Sequence, residues 1–139
     1  LDGYFFEDLK VGMNASYGKT ISDADITMFA GVSGDTNPLH LNSEYAAGTR
    51  FGECIAHGML SASFISTIFG TKLPGPGGIY MAQNLQFKAP VKVGDTVVAT
   101  ATIVELKPEK NQALFLTNCK VGNTIVVDGD ALILVPSRA

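Results

Sequence analysis

The stretch SGDTNPLH, residues 33–40, sets an acid and an imidazole, Asp35 and His40, five positions apart in a chain with two histidines among 139 residues. A carboxylate and an imidazole that share one water can take a proton from it as base and return a proton as acid. Between them, Asn37 can bond neighbouring backbone through its amide, and Pro38 fixes its own φ and biases Asn37 toward extended geometry. Stiffness suits such a pair, because misplaced catalytic groups lose large factors in rate. The spacing alone is a weak signal: a capping aspartate and a structural histidine in a turn would look the same.

Ala56-His57-Gly58 is the second candidate. Gly58 falls in the first turn of a predicted helix, where backbone N–H groups have no intrahelical partner. Without a Cβ it lets a ligand oxygen come close to its N–H, and the helix dipole favours negative charge there. A donor so placed can hold a carbonyl that becomes enolate-like, although a plain glycine at a helix start is an equal reading. His57 by itself fits a packed structural histidine better than a catalytic one. Cys54, three residues before His57, has no other activating feature and reads as a small buried hydrophobe. Two histidines 17 positions apart lack a ligand-like spacing, so no metal is expected. No dinucleotide or phosphate-loop motif is present, and Gly75 to Gly78 reads as a connector. Ser61, Ser63 and Ser66 read as core fillers that bond back to helix carbonyls, with room for one of them to face the site.

Two kinds of element must position these groups. From Asp95 onward the chain is a run of strands, DTVVATATIVEL, QALFLTNCKV and TIVVDGDALILV, rich in β-branched residues with period-two features. Gly122-Asn123 marks a two-residue hairpin and Pro108 to Asn111 a longer turn. A further strand is expected over Ile79 to Phe87 and a weaker one over about Asn14 to Ile21. In the other half, Ser22 or Asp23 caps a helix that ends near Gly34, and Ser43 caps a short turn stopped by Gly48. The segment HGMLSASFISTIFG, residues 57–70, is apolar around nearly its whole circumference, so it has to be buried on most sides. The expected architecture is therefore α+β: an antiparallel sheet wrapped around one long central helix.

Bulk properties bound the function. A hydrophobic share of 46% and a charged share of 17% describe a globular chain. The net charge of −3, with Lys and Arg scattered, argues against a nucleic-acid partner. Cys54 and Cys119 sit in no zinc or CxxC spacing and suggest reduced thiols and a cytoplasmic home. No signal peptide is visible, and the nearly apolar run from Met59 to Phe69 is too short to span a bilayer. A length of 139 suits one domain over residues 1–139, although the first residue, Leu rather than Met, leaves a longer parent chain open.

The run FAGVSGDTNPLHLNSEYA, residues 29–46, closely resembles the signature of the MaoC-like (R)-specific enoyl-CoA hydratases. AHGML at the head of the apolar helix and FKAPVKVGDTV, residues 87–97, are similar to this family too, so the resemblance runs from about residue 5 to 135. It implies a hot-dog fold and a homodimer with sheets joined edge to edge and acyl-CoA entering near the subunit interface. It also implies that Asp35 and His40 activate the catalytic water while the Gly58 N–H holds the thioester oxygen. By the resemblance Asn37 would support the loop and Ser66 matches a family serine near the acyl pocket; Asn37, Ser66 and His57 are the candidate substrate-binding residues. The implied reaction is reversible hydration of a trans-2-enoyl-CoA to an (R)-3-hydroxyacyl-CoA, with no cofactor, since the thioester already activates C3. The competing readings are a dehydratase acting on carrier-protein, branched or dicarboxylic thioesters, a hot-dog thioesterase, and a non-catalytic acyl-CoA-binding module. The thioesterase needs an acid on or near the central helix, and none lies between His57 and Gly70.

Overall fold

The computed structural model describes residues 2–139. Five strands, β1 (Asn14–Thr20), β2 (Ile79–Phe87), β3 (Thr96–Lys107), β4 (Gln112–Val121) and β5 (Thr124–Leu134), form one antiparallel sheet in the order β1-β3-β4-β5-β2. The period-two pattern has its expected effect on β3, where Val97, Ala99, Ala101 and Ile103 all point inward and are fully buried. Gly122, at φ +59°, supplies the positive φ that the tight β4–β5 turn requires. Register shifts near Ile103/Glu105, Cys119/Lys120 and Tyr80/Ala82 mark bulges, which bend the strands that carry them.

The central helix, here α4 (Gly58–Thr71), packs across β1, β3 and β4 on the inner face of this sheet. Leu60, Phe64, Ile65, Ile68 and Phe69 form its buried side and meet Phe115 and the inward residues of β3 in one core. Opposite them stand small residues, Ala99, Ala101, Ala113 and Ala131, all buried. They leave room for the helix backbone to come close, and the Cys119 thiol reaches the carbonyl of Ser61 at 3.4 Å. Burial is incomplete on one side. Met59, Ser63, Ser66 and Gly70, spaced four, three and four residues apart, form an exposed stripe in a single chain.

The other α-helices stand before α4 in sequence. In α1 (Asp23–Ser33), Ser22 Oγ accepts from the Asp25 N–H while the Asp25 carboxylate accepts from the Ser22 N–H, a reciprocal capping box. Gly34 ends it in the left-handed region at φ +78°. The segment around Pro38 folds as a helical turn, α2 (Pro38–Leu41): Pro38 occupies the first turn, where its missing N–H costs nothing. The short helix α3 (Ser43–Ala47) is capped by Asn42, whose Oδ1 accepts from the Tyr45 N–H, and not by Ser43. Both residue types cap well, and the one earlier in sequence took the place. No helix among the described residues is long and apolar enough to cross a membrane.

Candidate active site

The Asp35–His40 pair is held from three directions. Asn37 is the N-cap of α2, its Oδ1 accepting from the Leu39 N–H at 3.0 Å, and this sets the rise that carries His40. One Asp35 carboxylate oxygen accepts from the Asn37 N–H at 3.3 Å, an Asx turn that leaves the other oxygen free. From the far side, the segment leading into α4 docks through the Ala56 N–H on the carbonyl of Val91, at 2.7 Å. That segment presents the Ile55 carbonyl to His40 Nδ1, also at 2.7 Å. A carbonyl only accepts, so His40 Nδ1 carries the proton and its Nε2 is left with a lone pair for the cavity.

His57 completes the arrangement. It is buried, at 2% exposure, and forms the N-cap residue of α4. Its Nε2 donates to the backbone carbonyl of Asp35 at 2.9 Å, while its ring stacks on His40 with centroids 3.9 Å apart and planes 27° from parallel. Phe29 of α1 backs the His57 ring at 4.9 Å. Two histidines 17 positions apart in sequence come together in the fold, which brings one ligand atom each of Asp35, His40 and His57 within 4.8 Å of one another. His40 Nδ1 and His57 Nε2 are each turned to a backbone carbonyl.

Asp35, His40, His57 and Gly58 share one cavity of about 410 Å³. Its walls are mostly apolar, including Phe87, Val126 and Val127, with two cations, Arg50 and Lys88, also lining it. Neither cation is in an ion pair among the described residues. Gly58 is the first residue of α4, where its N–H has no intrahelical acceptor. An added Cβ there would come within 2.6 Å of the Phe87 ring, so the glycine leaves space that a side chain would fill. A free carboxylate oxygen, a free imidazole lone pair and a helix-head donor around one largely apolar cavity can hold a water and polarise a carbonyl oxygen.

Three expected site residues lie elsewhere or act differently. Ser66 is on the exposed stripe of α4, outside the cavity wall; the serine that lines it is Ser61. A helix apolar all round gives no phase from its hydrophobic pattern, so the sequence could not choose between them. Asn37 caps α2 and does not line the cavity. His57 lines it, yet its Nε2 is committed to the Asp35 backbone. Cys54 lies outside the cavity wall, and burial pushes the Cys119 thiol up to about 12, which keeps it protonated and inert.

An antiparallel sheet wrapped on one long helix defines the hot-dog class of folds. Within it, the chain belongs to the MaoC-like family: the model of the MaoC-like domain matches residues 7–125. It is 56% identical over 135 residues to the (R)-specific enoyl-CoA hydratase of Rhodospirillum rubrum, spanning 97% of this chain and 94% of that protein. It is 46% identical to the 3-hydroxybutyryl-CoA dehydratase of Methylorubrum extorquens, over 96% of this chain and 85% of that one. Among solved structures, the unliganded R-hydratase PhaJ1 of Pseudomonas aeruginosa superposes with a TM-score of 0.92 at 44% identity, covering 98% of this chain and 88% of that one.

Proposed function

We propose that residues 1–139 form one hydro-lyase domain, an (R)-specific enoyl-CoA hydratase that reversibly adds water to a trans-2-enoyl-CoA to give an (R)-3-hydroxyacyl-CoA. The observation that carries this reading is the pair of free acceptors, the second Asp35 oxygen and His40 Nε2, opening on the cavity that the Gly58 N–H also borders. A water donating one hydrogen to each acceptor keeps a lone pair to attack C3. As that oxygen bonds to C3, the C2=C3 electron pair moves toward the thioester oxygen, which the Gly58 N–H receives. The acceptor that took the water's proton then returns it to C2. Oxygen and hydrogen thus come from one water on one face, a syn addition. The donor at the carbonyl is worth about 3 kcal/mol in comparable sites. Residues and thioester supply all of this chemistry, so the reading includes no cofactor and no metal.

The substrate class is an acyl-CoA thioester, supported by the relatives' names and by the unpaired Arg50 and Lys88 along the cavity, which suit the phosphates of CoA. A homodimer is part of the same reading. The edge strand β2 exposes Ile79, Met81 and Phe87, and the open stripe of α4 begins at Met59; Phe87 and Met59 also line the cavity. A second copy paired along β2 would cover this surface and roof the site. Both cysteines are free, which suits a reducing cytoplasm. The deciding experiment is hydration of crotonyl-CoA and longer enoyl-CoAs with chiral analysis of the product. The expected product is (R); an (S) product, or no hydration of any chain length, overturns the reading.

A further inference from the structure

One hydroxyl of α4, that of Ser61, is both buried and without a local bond. Ser63 Oγ bonds back to the Leu60 carbonyl at 2.5 Å, Thr67 to Ser63 at 3.3 Å and Thr71 to Thr67 at 2.6 Å. These are the local bonds that hydroxyls inside helices usually make. Ser61 Oγ makes none. It is buried, the residue being 1% exposed, and it has no hydrogen-bond partner among the described residues. A buried hydroxyl left unpaired costs stability, and a fold retains such a group where something else uses it. Ser61 lines the same cavity as Asp35, His40 and Gly58.

Its place on the helix says what it would meet. Ser61 follows Gly58 by three residues, so the two share a face, and helical side chains lean toward the N-terminus, over the preceding turn. The hydroxyl therefore leans toward the turn that carries the Gly58 N–H. We propose that Ser61 is a catalytic residue whose Oγ–H donates, beside the Gly58 N–H, to the thioester carbonyl oxygen, making a two-donor oxyanion hole. This rests on the thioester reading of the site. As the attacking water's oxygen bonds to C3, negative charge grows on the carbonyl oxygen and both donors meet it; when C2 takes its proton, the charge returns and the donors release the product carbonyl. Proton and electron count are unchanged at Ser61, which only donates a hydrogen bond.

The test is Ser61→Ala, assayed with crotonyl-CoA beside the wild type. The expected result is a fall in kcat of about a hundredfold with KM little changed, and a thermal midpoint equal to the wild type's or higher, because an unpaired buried polar group has been removed. Ser61→Cys, a near-isostere with a weak S–H donor, should fall between the two. A second readout needs no turnover. In an Asp35→Asn background, a bound 2,4-dienoyl-CoA should show a red-shifted absorption band from carbonyl polarisation, and adding Ser61→Ala should shrink that shift. A Ser61→Ala enzyme within twofold of the wild-type kcat, a band shift unchanged by the substitution, or a markedly lowered midpoint would each overturn the assignment. A wild type that hydrates no enoyl-CoA sinks the hydratase reading instead, and the dienoyl band still decides the role of Ser61.

Discussion

His57 touches both members of the acid–imidazole pair at once: its ring lies 3.9 Å from that of His40, and its Nε2 holds the backbone carbonyl of Asp35 at 2.9 Å. One buried side chain thus braces the loop after α1 and the turn α2 against each other, beside the Asx turn that already joins them. Its hold on Asp35 runs through a single ring nitrogen, and that makes this part of its role separable from mere filling of space. Gln carries its amide nitrogen about where His carries Nε2, whereas Asn reaches only as far as Nδ1. His57→Gln should therefore keep most of the turnover, and His57→Asn should lose about tenfold more, the worth of one well-placed hydrogen bond of roughly 1.4 kcal/mol. The comparison is of kcat for enoyl-CoA hydration, with KM recorded for each variant. An Asn variant as fast as the Gln variant would show that His57 only packs.

Asp35 and His40 should be separable from the fold altogether. Asp35 is exposed in a single chain and His40 half-buried, and neither belongs to the hydrophobic core. Asp35→Asn keeps an oxygen to accept from the Asn37 N–H, so the Asx turn survives while the base is lost. His40→Ala removes the Nε2 lone pair. Each should lower kcat at least about a hundredfold, the usual weight of a positioned acid or base, with the thermal midpoint within a few degrees of wild type. Near-normal hydration by either variant would remove that residue from the mechanism.

Gly58 and Phe87 should behave as a coupled pair. A methyl group at position 58 would sit 2.6 Å from the Phe87 ring, too close for any real Cβ contact. The ring is half exposed and can swing, but it swings in the wall of the cavity. Gly58→Ala should fold, yet lose on the order of a hundredfold in kcat/KM through misplacement of the thioester. Adding Phe87→Ala makes room for the methyl group and should recover part of that loss. If the double variant is simply the product of the two single effects, the crowding account is wrong.

What was legible in the sequence follows from how local each signal is. The strands announced themselves through alternation and through Gly122-Asn123, because pleat and turn act over a few residues. Asp35 and His40 gave only a weak signal by their spacing, and the resemblance of residues 29–46 is what singled them out. The stack of His57 on His40 was not legible, since it joins positions 17 apart through the docking of residues 55–57 between α2 and β3's leading loop. Sequence spacing therefore could not show that Asp35, His40 and His57 converge. Ser61 and Ser66 illustrate a different limit. With Met59, Leu60, Phe64 and Ile65 all apolar, nothing in the pattern says which side of α4 meets the sheet, and only the packing of small alanines beneath it decides. Asn42 against Ser43 was a choice between two good caps one residue apart.

Acid stability should depend on the start of α1. Asp25 is nearly buried, and its carboxylate accepts from the Ser22 N–H at 2.9 Å and faces the Lys19 ammonium at 3.4 Å. The Ser22 backbone N–H, with smaller help from the Ser22 hydroxyl and Lys19, holds the Asp25 carboxyl below the usual carboxylate range. A carboxylate held low in the folded state favours folding at every pH above its ordinary value, and that contribution disappears as the pH falls through the folded value. At neutral pH, Ser22→Ala and Asp25→Asn should each cost about 1 kcal/mol, the usual worth of a helix cap. That loss corresponds to roughly 3–5 °C in Tm for a domain of this size. As the pH falls through that lowered folded value the wild type's own Asp25 becomes protonated, and its Tm should converge on that of Asp25→Asn. Thermal unfolding of the three proteins from pH 2 to 7 measures this directly, and a gap between wild type and Asp25→Asn that persists undiminished at pH 2 would rule out the charge as its source.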